Sequence, residues 1–243
     1  MTYNLLSENT AKMLKSRELG YYSVVLHLEP AMQYRGENTC PAAGQCKAYC
    51  LANCGHMRFD PARYARIRRT KLFYDDLAAF RTLLVADIVR AQRKAASLGC
   101  KLTVRLNGTS DLDWSRMHVG KASIFAAFPD VQFIDYTKRT EFFSKRRPSN
   151  YSLTYSVSER SDVQQVKRLL RRGINCAVVF SGELPAEHLG FPVVDGDISD
   201  LRHLDPRGVI VGLRYKRAFR QDTGKARAVK RGFVVLNNEG MGL

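Results

Sequence analysis

Residues 77–106 read LAAFRTLLVADIVRAQRKAASLGCKLTVRL, and they carry the pattern that decides the fold class. Apolar residues recur at helical spacing from Leu77 to Ala91, which predicts an amphipathic helix, and Gly99 follows as its stop. The next six residues, KLTVRL at 101–106, form a short and mostly apolar run that predicts a strand. A helix that leads directly into a strand is the repeating element of α/β proteins.

The same alternation extends in both directions along the chain. Further strands are predicted at 23–28, 131–136, 151–157, 174–180, 191–197 and 208–215, and the terminal GFVVL at 232–236 is a candidate for a last strand. Helices are predicted at 60–76, 119–128, 140–146 and 161–173. Ser161 is the expected N-cap of the last helix, and Gly173 marks its end.

This order of elements predicts βαβ units and a mostly parallel sheet. Seven strands favour an α/β fold that is (β/α) barrel-like, partial or closed, with a flat doubly wound sheet as the alternative. Neither a G-x-G-x-x-G loop nor a P-loop follows the first strand, so dinucleotide and P-loop functions lose their main support. Residues 1–243 are expected to form a single α/β domain with a basic C-terminal segment at about 214–231.

Four of the six cysteines lie in one stretch, TCPAAGQCKAYCLANCGH at 39–56. The N-terminal residues contain no apolar signal segment, and no apolar run is long enough to span a membrane. A cytoplasmic protein with no membrane partner is therefore expected, and there clustered cysteines bind metal more often than they form disulfides. The predicted metal ligands are Cys40, Cys46, Cys50 and Cys54.

The spacing of these cysteines favours an iron–sulfur cluster over zinc. Zinc sites usually combine two cysteine pairs that lie far apart in sequence, whereas a single compact run with a neighbouring proline, here Pro41, is typical of iron–sulfur proteins. Four thiolates would complete a [4Fe–4S] centre, and three would leave one iron open to a substrate or cofactor. Both arrangements, and a zinc site that includes His56, are compatible with the sequence.

The charge of the chain predicts a polyanionic partner. Lys and Arg number 39 against 23 Asp and Glu, a formal net charge of +16. Such an excess favours a nucleic acid or nucleotide, although a general contribution to solubility is the alternative. The predicted nucleic-acid contacts are Arg66, Arg69, Arg214, Lys216, Arg217 and Lys230.

Polar residues follow several predicted strands, at the carboxyl edge where parallel sheets carry their active sites. The cysteine stretch follows the first strand, so it is expected on the same edge. Ordinary turn formation is the alternative explanation for each polar residue. The predicted catalytic residues are Arg105, Asn107, Ser110, Asp111, Asp135 and Lys138. The predicted cofactor contacts are Asn107, Thr109, Ser156, Asp195 and Asp197.

Arg105 is the most specific of these residues because it lies within an otherwise apolar strand. An unpaired charge there would be expensive, so Arg105 is expected to pair with a carboxylate such as Asp135 or to bind an anionic ligand. Trp114 is expected to pack beside the loop that follows this strand.

An ordered set of motifs resembles a known family. These motifs are NTCPAAGQCKAYC, ARIRRTKLF, VRLNGTSDLDW, FIDYTKR, NYSLTYSVSE, VVDGDISDLRHLDPRGVIVGL and the terminal GFVV. Together they are similar to small phage and plasmid proteins related to the mycobacteriophage gene 88 product, a family of unknown function. The resemblance covers about 36–236 and implies a phage or plasmid origin, and hence a bacterial host cell. It also implies that Cys40, Cys46 and Cys50 are the recurrent cysteines and that Cys54 is an addition.

The position of the cysteines is also similar to that in radical S-adenosylmethionine barrels. There, three cysteines after the first strand hold a [4Fe–4S] cluster with one open iron. The spacing differs, since three residues separate Cys46 from Cys50 and Cys50 from Cys54, and Asn53 stands where that family has an aromatic residue. This fold-level analogy adds S-adenosylmethionine as an optional cofactor and does not establish a function.

Three hypotheses follow. The first is an iron–sulfur enzyme, with radical chemistry as one option, that acts on a nucleic acid or nucleotide. The second is a nucleic-acid-binding protein with a structural zinc or iron–sulfur site. The third is a Mg²⁺-dependent nuclease that uses Asp111, Asp135, Asp195 and Asp197. The oligomeric state is not predicted by any of these features.

Overall fold

The structure, a computed structural model, describes residues 4–8, 11–216, 229–230 and 232–236. Most of the basic segment at about 214–231 therefore lies outside the described residues. The strands within these residues are β1 (Leu6–Ser7), β2 (Tyr21–Leu26), β3 (Gln33–Tyr34), β4 (Glu37–Asn38), β5 (Lys101–Arg105), β6 (His118–Val119), β7 (Ala122–Ser123), β8 (Gln132–Thr137), β9 (Tyr151–Ser156), β10 (Cys176–Phe180), β11 (Glu187–His188), β12 (Phe191–Asp195) and β13 (Ile210–Arg214).

The helices alternate with these strands as the sequence predicts. The α-helices are α1 (Ala11–Glu18), α2 (Asp60–Asp75), α3 (Leu77–Ser97), α4 (Ile124–Ala127) and α5 (Val163–Arg171). Three short 3₁₀ turns lie in the cysteine stretch, at Gly44–Lys47, Leu51–Asn53 and Gly55–Arg58. No helix among the described residues is both long enough and apolar enough to cross a membrane.

One large sheet organises the molecule. Its nine strands lie in the order β1-β2-β5-β8-β9-β10-β13-β12-β11. The seven strands from β2 to β12 are mutually parallel, and the two short edge strands are antiparallel to their neighbours. The mostly parallel sheet is thus confirmed. A closed barrel is not, because the described residues include no pairing between β1 and β11, and the sheet is open.

The strand order explains why the helices gather on one face. Successive parallel strands are added on the same side until β12 and β13 exchange places, and right-handed crossovers in one direction put their helices on the same face. On this face Phe80 and Ile88 of α3 pack against Val104 of β5 in one core. A second core joins α5 to β10 through Leu169 and Val178.

The opposite face, here called the inner face, is covered by the chain between β12 and β13. Alternation along each strand directs Ser23 and Thr103 to this face, and their hydroxyls lie 2.6 Å apart. Leu201 and Arg202 are buried over the inner face. The ring of His203 meets that of Tyr21 edge-on, with 4.9 Å between their centroids. The inner face is therefore more polar than the helix-covered face.

Three local predictions need correction. The helix predicted at 140–146 is a short 3₁₀ turn, Thr140–Phe143. The N-cap of α5 is Asp162, whose carboxylate accepts from the N–H groups of Gln164 and Gln165, whereas Ser161 accepts from the N–H of Ser158. The helix predicted at 119–128 is restricted to α4, because its first residues form the β6–β7 hairpin. Gly99 does follow the end of α3, with φ at +63°. Such positive φ values suit glycine at helix ends.

Candidate functional site

The cysteine loop, residues 39–58, crosses the carboxyl edge of the sheet from one side to the other. Near its start, Thr39 O accepts from the N–H of Asp111, which follows β5, at 2.8 Å. In its middle, the N–H of Gln45 donates to Glu159 Oε1, beyond β9, at 3.0 Å. At its far end, Cys54 Sγ lies 3.8 Å from the carbonyl of Lys216, beyond β13. The predicted position of the cysteines on this edge is thus observed.

Local hydrogen bonds fix the entry to the loop. Thr39 Oγ1 donates to Glu29 O at 2.7 Å and accepts from the N–H of Met32 at 3.0 Å. Asn38 Oδ1 accepts from the N–H of Cys40 at 2.8 Å. These bonds hold the first cysteine directly beside the end of β2.

Helix α2 fixes the exit from the loop through Arg66. The Arg66 side chain is only 4% exposed and pairs with Glu29, its Nε lying 2.9 Å from Oε2. Nη1 donates to the carbonyl of Met57 at 2.7 Å. A buried arginine that links a carboxylate to a loop carbonyl serves structure, so Arg66 does not present its charge at the surface.

Three of the cysteines share one partly buried neighbourhood. Cys40 Sγ lies 3.5 Å from Thr109 O, and burial raises the pKa of this thiol to about 11, with further contributions from Asp111 and Cys46. Burial raises the pKa of Cys50 to about 12, and the thiols of Cys46 and Cys40 raise it further. Each of these thiols is therefore close enough to influence another electrostatically.

Cys54 has a different environment. Burial raises its pKa, and the only charge that influences it among the described residues is Lys216, which partly offsets the effect of burial. Its Sγ contacts the carbonyls of Cys50 and Lys216. Cys54 thus touches the Cys50 backbone, but it does not share the electrostatic influence among the other three thiols.

The sulfur atoms of the described cysteines are not close enough together to form a metal site in this structure. Within the described residues no group of three or more His, Cys, Asp or Glu side chains is placed so that it could hold a metal ion. All six cysteines are free thiols. The donor set of Cys40, Cys46 and Cys50 suits a soft metal or an iron–sulfur cluster, and binding would require the loop to bring these sulfurs closer together.

Asp111 and Lys138 lie below the loop and connect the ends of three strands. Asp111 accepts from Thr137 Oγ1 at 2.6 Å and from the N–H of Lys138 at 3.0 Å. Burial raises the pKa of Asp111, and these two hydrogen bonds partly offset the effect. Lys138 Nζ donates to Ser156 Oγ at 2.6 Å on the inner face.

The remaining polar residues after β5 hold their own loop together. Asn107 Oδ1 accepts from Ser110 Oγ, from the N–H of Leu112 and from Trp114 Nε1, all at 2.8–3.0 Å. Thr109 Oγ1 donates to the carbonyl of Leu28 at 2.6 Å. Trp114 is buried against the α3 core, as expected for a packing residue. The side chains of Asn107, Thr109 and Ser110 thus have a structural role whatever else they do.

Arg105 and Asp135 point to opposite faces of the sheet, so the carboxylate that pairs with Arg105 is Asp200 and not Asp135. Asp135 is buried on the helix side, where it accepts from the N–H of Asn107 at 2.6 Å, and burial raises its pKa to about 7. The Arg105 guanidinium lies on the inner face, 4.7 Å from the centroid of the Tyr136 ring and 3.9 Å from Asp200. Its Nε is buried without a hydrogen-bond partner among the described residues.

Asp195 and Asp197 lie at the other side of the sheet, close to basic residues. Arg214 Nη1 lies 2.8 Å from Asp195 Oδ2 and 3.6 Å from Asp197 Oδ2, and Lys216 Nζ lies 3.3 Å from Asp197 Oδ1. Strands β9 and β10 separate this network, on β12 and β13, from β5 and β8, which position Asp111 and Asp135. The described structure therefore does not bring the four aspartates of the nuclease hypothesis together.

The predicted nucleic-acid contacts are scattered and mostly engaged. Arg69 donates to the carbonyl of Asn4 at 3.1 Å. Arg214 and Lys216 form the ion pairs just described. Lys230 is exposed. Arg217 lies outside the described residues. Within the described residues, Arg66, Arg69, Arg214 and Lys216 are thus engaged in intramolecular contacts.

Sequence reasoning missed the aromatic support of the loop. Tyr49, between two of the cysteines, stacks on Phe233 with 5.5 Å between centroids and meets Tyr215 edge-on at 6.3 Å. Lys138 Nζ lies 6.0 Å from the Phe233 ring. Nothing in a single sequence indicates that residues so far apart meet, although a tyrosine within the cysteine run was a possible signal.

These features define a class of α/β proteins with an open, mostly parallel sheet and a cysteine loop across its carboxyl edge. The chain belongs to the Gene product 88 family, whose model matches residues 4–234. This match confirms the resemblance seen in the motifs. Comparisons with curated proteins and with solved structures found no match.

Proposed function

We propose that this protein holds a [4Fe–4S] cluster on Cys40, Cys46 and Cys50 and acts as an enzyme on a nucleotide or nucleic acid at the carboxyl edge of its sheet. The observation that supports this proposal is the partly buried neighbourhood in which these three thiols influence one another electrostatically, without a contribution from Cys54. A cluster with three protein ligands has one iron free for an external ligand, and this is the chemistry it would supply when bound.

The groups beside the loop suit an anionic substrate. Lys138 and Arg105 both lie on the inner face of neighbouring strands, near its carboxyl edge. Among the described residues, Lys138 has a neutral hydroxyl as its hydrogen-bond partner, and Arg105 has a buried Nε without one. A phosphate or carboxylate would complete the bonding of both cations. Lys138 and Arg105 would bind and orient the substrate, and the Tyr136 ring would offer it an apolar surface.

The first test is the metal content of protein purified without oxygen. We expect roughly four irons and four sulfides per chain, as in [4Fe–4S] proteins. C40S, C46S and C50S should each lose most of the iron, while C54S and the distant control C100S should retain it. One zinc without sulfide would replace the proposal with a structural zinc site. Equal loss in C54S and C50S would instead indicate four cysteine ligands.

The radical version of the enzyme has its own test. The reduced, iron-loaded protein should cleave S-adenosylmethionine, and K138M should retain iron but bind an anionic substrate more weakly. Absence of cleavage would remove the radical version and leave the cluster assignment intact. Urea unfolding tests whether the metal is structural instead. A structural metal predicts that the metal-free protein unfolds, because small metal-dependent domains need their metal to fold.

A further inference from the structure

Three arginines form a separate basic cluster at the amino edge of the sheet, opposite the cysteine loop. Arg147 precedes β9, Arg172 follows α5 and precedes β10, and Arg207 precedes β13. Because these three strands are parallel, the residues before them share one edge. None of the three belongs to the basic residues predicted as nucleic-acid contacts.

Backbone contacts hold the three guanidinium groups near one another. Arg147 Nη1 donates to the carbonyl of Phe142 at 3.3 Å, and Arg172 Nη2 donates to the adjacent carbonyl of Phe143 at 2.9 Å. The Arg147 guanidinium also lies 5.1 Å from the centroid of the Phe143 ring. Arg207 packs against Gly173, where a Cβ would lie 3.1 Å from Arg207 Nε. The three charges therefore lie near one another, and backbone carbonyls hold two of them.

The cluster is electrostatically uncompensated within the described residues. No carboxylate there lies within 4.0 Å of Arg147, Arg172 or Arg207, whereas several other arginines have such a partner, among them Arg35, Arg66, Arg139, Arg202 and Arg214. Burial lowers the pKa of Arg147, and Arg172 and Arg207 lower it further. Arg172 and Arg207 are exposed, and the neighbouring Lys145 and Arg146 are exposed as well. Like charges held together at a surface favour an anionic partner that neutralises them.

We infer that Arg147, Arg172 and Arg207 form a phosphate-binding surface that contacts the backbone of a nucleic acid. Guanidinium groups bind phosphate oxygens through two parallel hydrogen bonds, and backbone carbonyls hold those of Arg147 and Arg172 in place before any partner arrives. Nucleic-acid backbones offer several phosphates at regular spacing, which matches a cluster of three cations with Lys145 and Arg146 beside it.

An anionic membrane fits this surface less well. Surfaces that bind membranes usually combine basic residues with exposed apolar or aromatic side chains. None of the large exposed apolar side chains among the described residues belongs to α5 or to residues 140–147, and a single one, Leu204, lies within three residues of Arg207. The surface also lies on the opposite edge from the cysteine loop, so it does not depend on the proposed metal centre.

The test compares two triple variants of the full chain that lose the same charge. R147A/R172A/R207A removes the cluster, and R93A/K94A/R116A removes three exposed basic residues from other parts of the surface. Binding to a fluorescein-labelled 20-base-pair DNA duplex and to the matching single strand is followed by anisotropy between 50 and 200 mM salt. Iron content is measured in each protein, so a loss of nucleic-acid binding is separable from a loss of metal.

We expect the cluster variant to bind at least tenfold more weakly than the control variant. The slope of log affinity against log salt should become shallower by about 2–3, since each lost phosphate contact changes it by roughly 0.7–0.9. R207A alone removes no backbone hydrogen bond seen in the described residues, and it should weaken binding without loss of fold. Equal weakening in both triple variants would overturn the inference, as would binding of the wild type to phosphatidylglycerol vesicles but not to nucleic acid.

Discussion

At the scale of single residues, Asn107 is the side chain that organises the loop after β5. Its amide oxygen accepts three hydrogen bonds, from Ser110, Leu112 and Trp114, and its amide nitrogen donates to Leu112 O at 3.0 Å. The residue is almost fully buried. A polar side chain that satisfies this many buried groups is costly to remove, because its former partners stay buried without it.

We therefore expect N107A to lower the free energy of unfolding by about 2–4 kcal/mol. Urea unfolding at pH 7 measures this change, and tryptophan fluorescence reports the release of Trp114. Q164A, an exposed residue on α5, is the control and should change stability by less than about 0.5 kcal/mol. A similar small change in N107A would contradict the structural role of this side chain.

Asp135 makes stability depend on pH. Burial raises its pKa from 3.8 to about 7, so the folded protein holds this proton more tightly than the unfolded chain does. The stabilisation is fully present below pH 4 and is lost as the pH rises to about 7. D135N cannot ionise, so the wild type should lose stability relative to D135N by roughly 2–4 kcal/mol between pH 4.5 and 7.5, at about 1.4 kcal/mol per unit of pKa shift. A difference between the two proteins that is constant with pH would contradict this account.

At the scale of elements, the cysteine loop depends on glycine at its closest approach to the sheet. Gly44 has φ at +51°, and a Cβ at this position would collide with Oε1 of Glu159, which accepts from the N–H of Gln45. Gly55 has φ at +53° in the same loop, but no atom lies within 4 Å of its Cβ position. A side chain at either position would therefore strain the backbone, but only a side chain at position 44 would also collide with Glu159.

This pair gives a matched test of the contact between loop and sheet. Both G44A and G55A should be destabilised by roughly 1 kcal/mol from the backbone conformation. G44A should lose a further ~1–3 kcal/mol from the collision and displace Glu159. Urea unfolding measures the difference, and iron content should fall in G44A more than in G55A. Equal effects in the two variants would show that the Glu159 contact does not position the loop.

At the scale of the whole molecule, the C-terminal segment connects the cysteine loop to the sheet. Val235 exchanges backbone hydrogen bonds of 2.9 Å with Val179 and Ser181 at the end of β10. Val234 is buried, and Phe233 stacks on Tyr49. This stretch of chain thus binds to the end of β10 through Val235 and supports the cysteine loop through Phe233.

Truncation after Lys216 should therefore loosen the loop before it affects the core. Hydrogen exchange of amides at 44–58 should become at least tenfold faster. In the full chain, local opening must break the contact between Tyr49 and Phe233, and the truncated chain lacks this contact, so it opens more easily. Amides at 84–106, in α3 and β5, serve as the internal control and should retain their protection. A uniform loss of protection would show that the segment stabilises the entire domain, and no change at 44–58 would exclude its support of the loop.

The sequence by itself determined the fold class, because helix and strand periods are local properties that each segment carries within itself. The seven predicted parallel strands are observed within two residues of their expected bounds. Its cysteine spacing also identified the loop that crosses the carboxyl edge. Only the tertiary structure decided that the sheet stays open, that Arg105 and Asp135 face opposite sides, and that Cys54 lies beside Lys216. It alone brought Arg147, Arg172 and Arg207 together, since these contacts join residues distant in sequence whose meeting depends on the order and direction of strands.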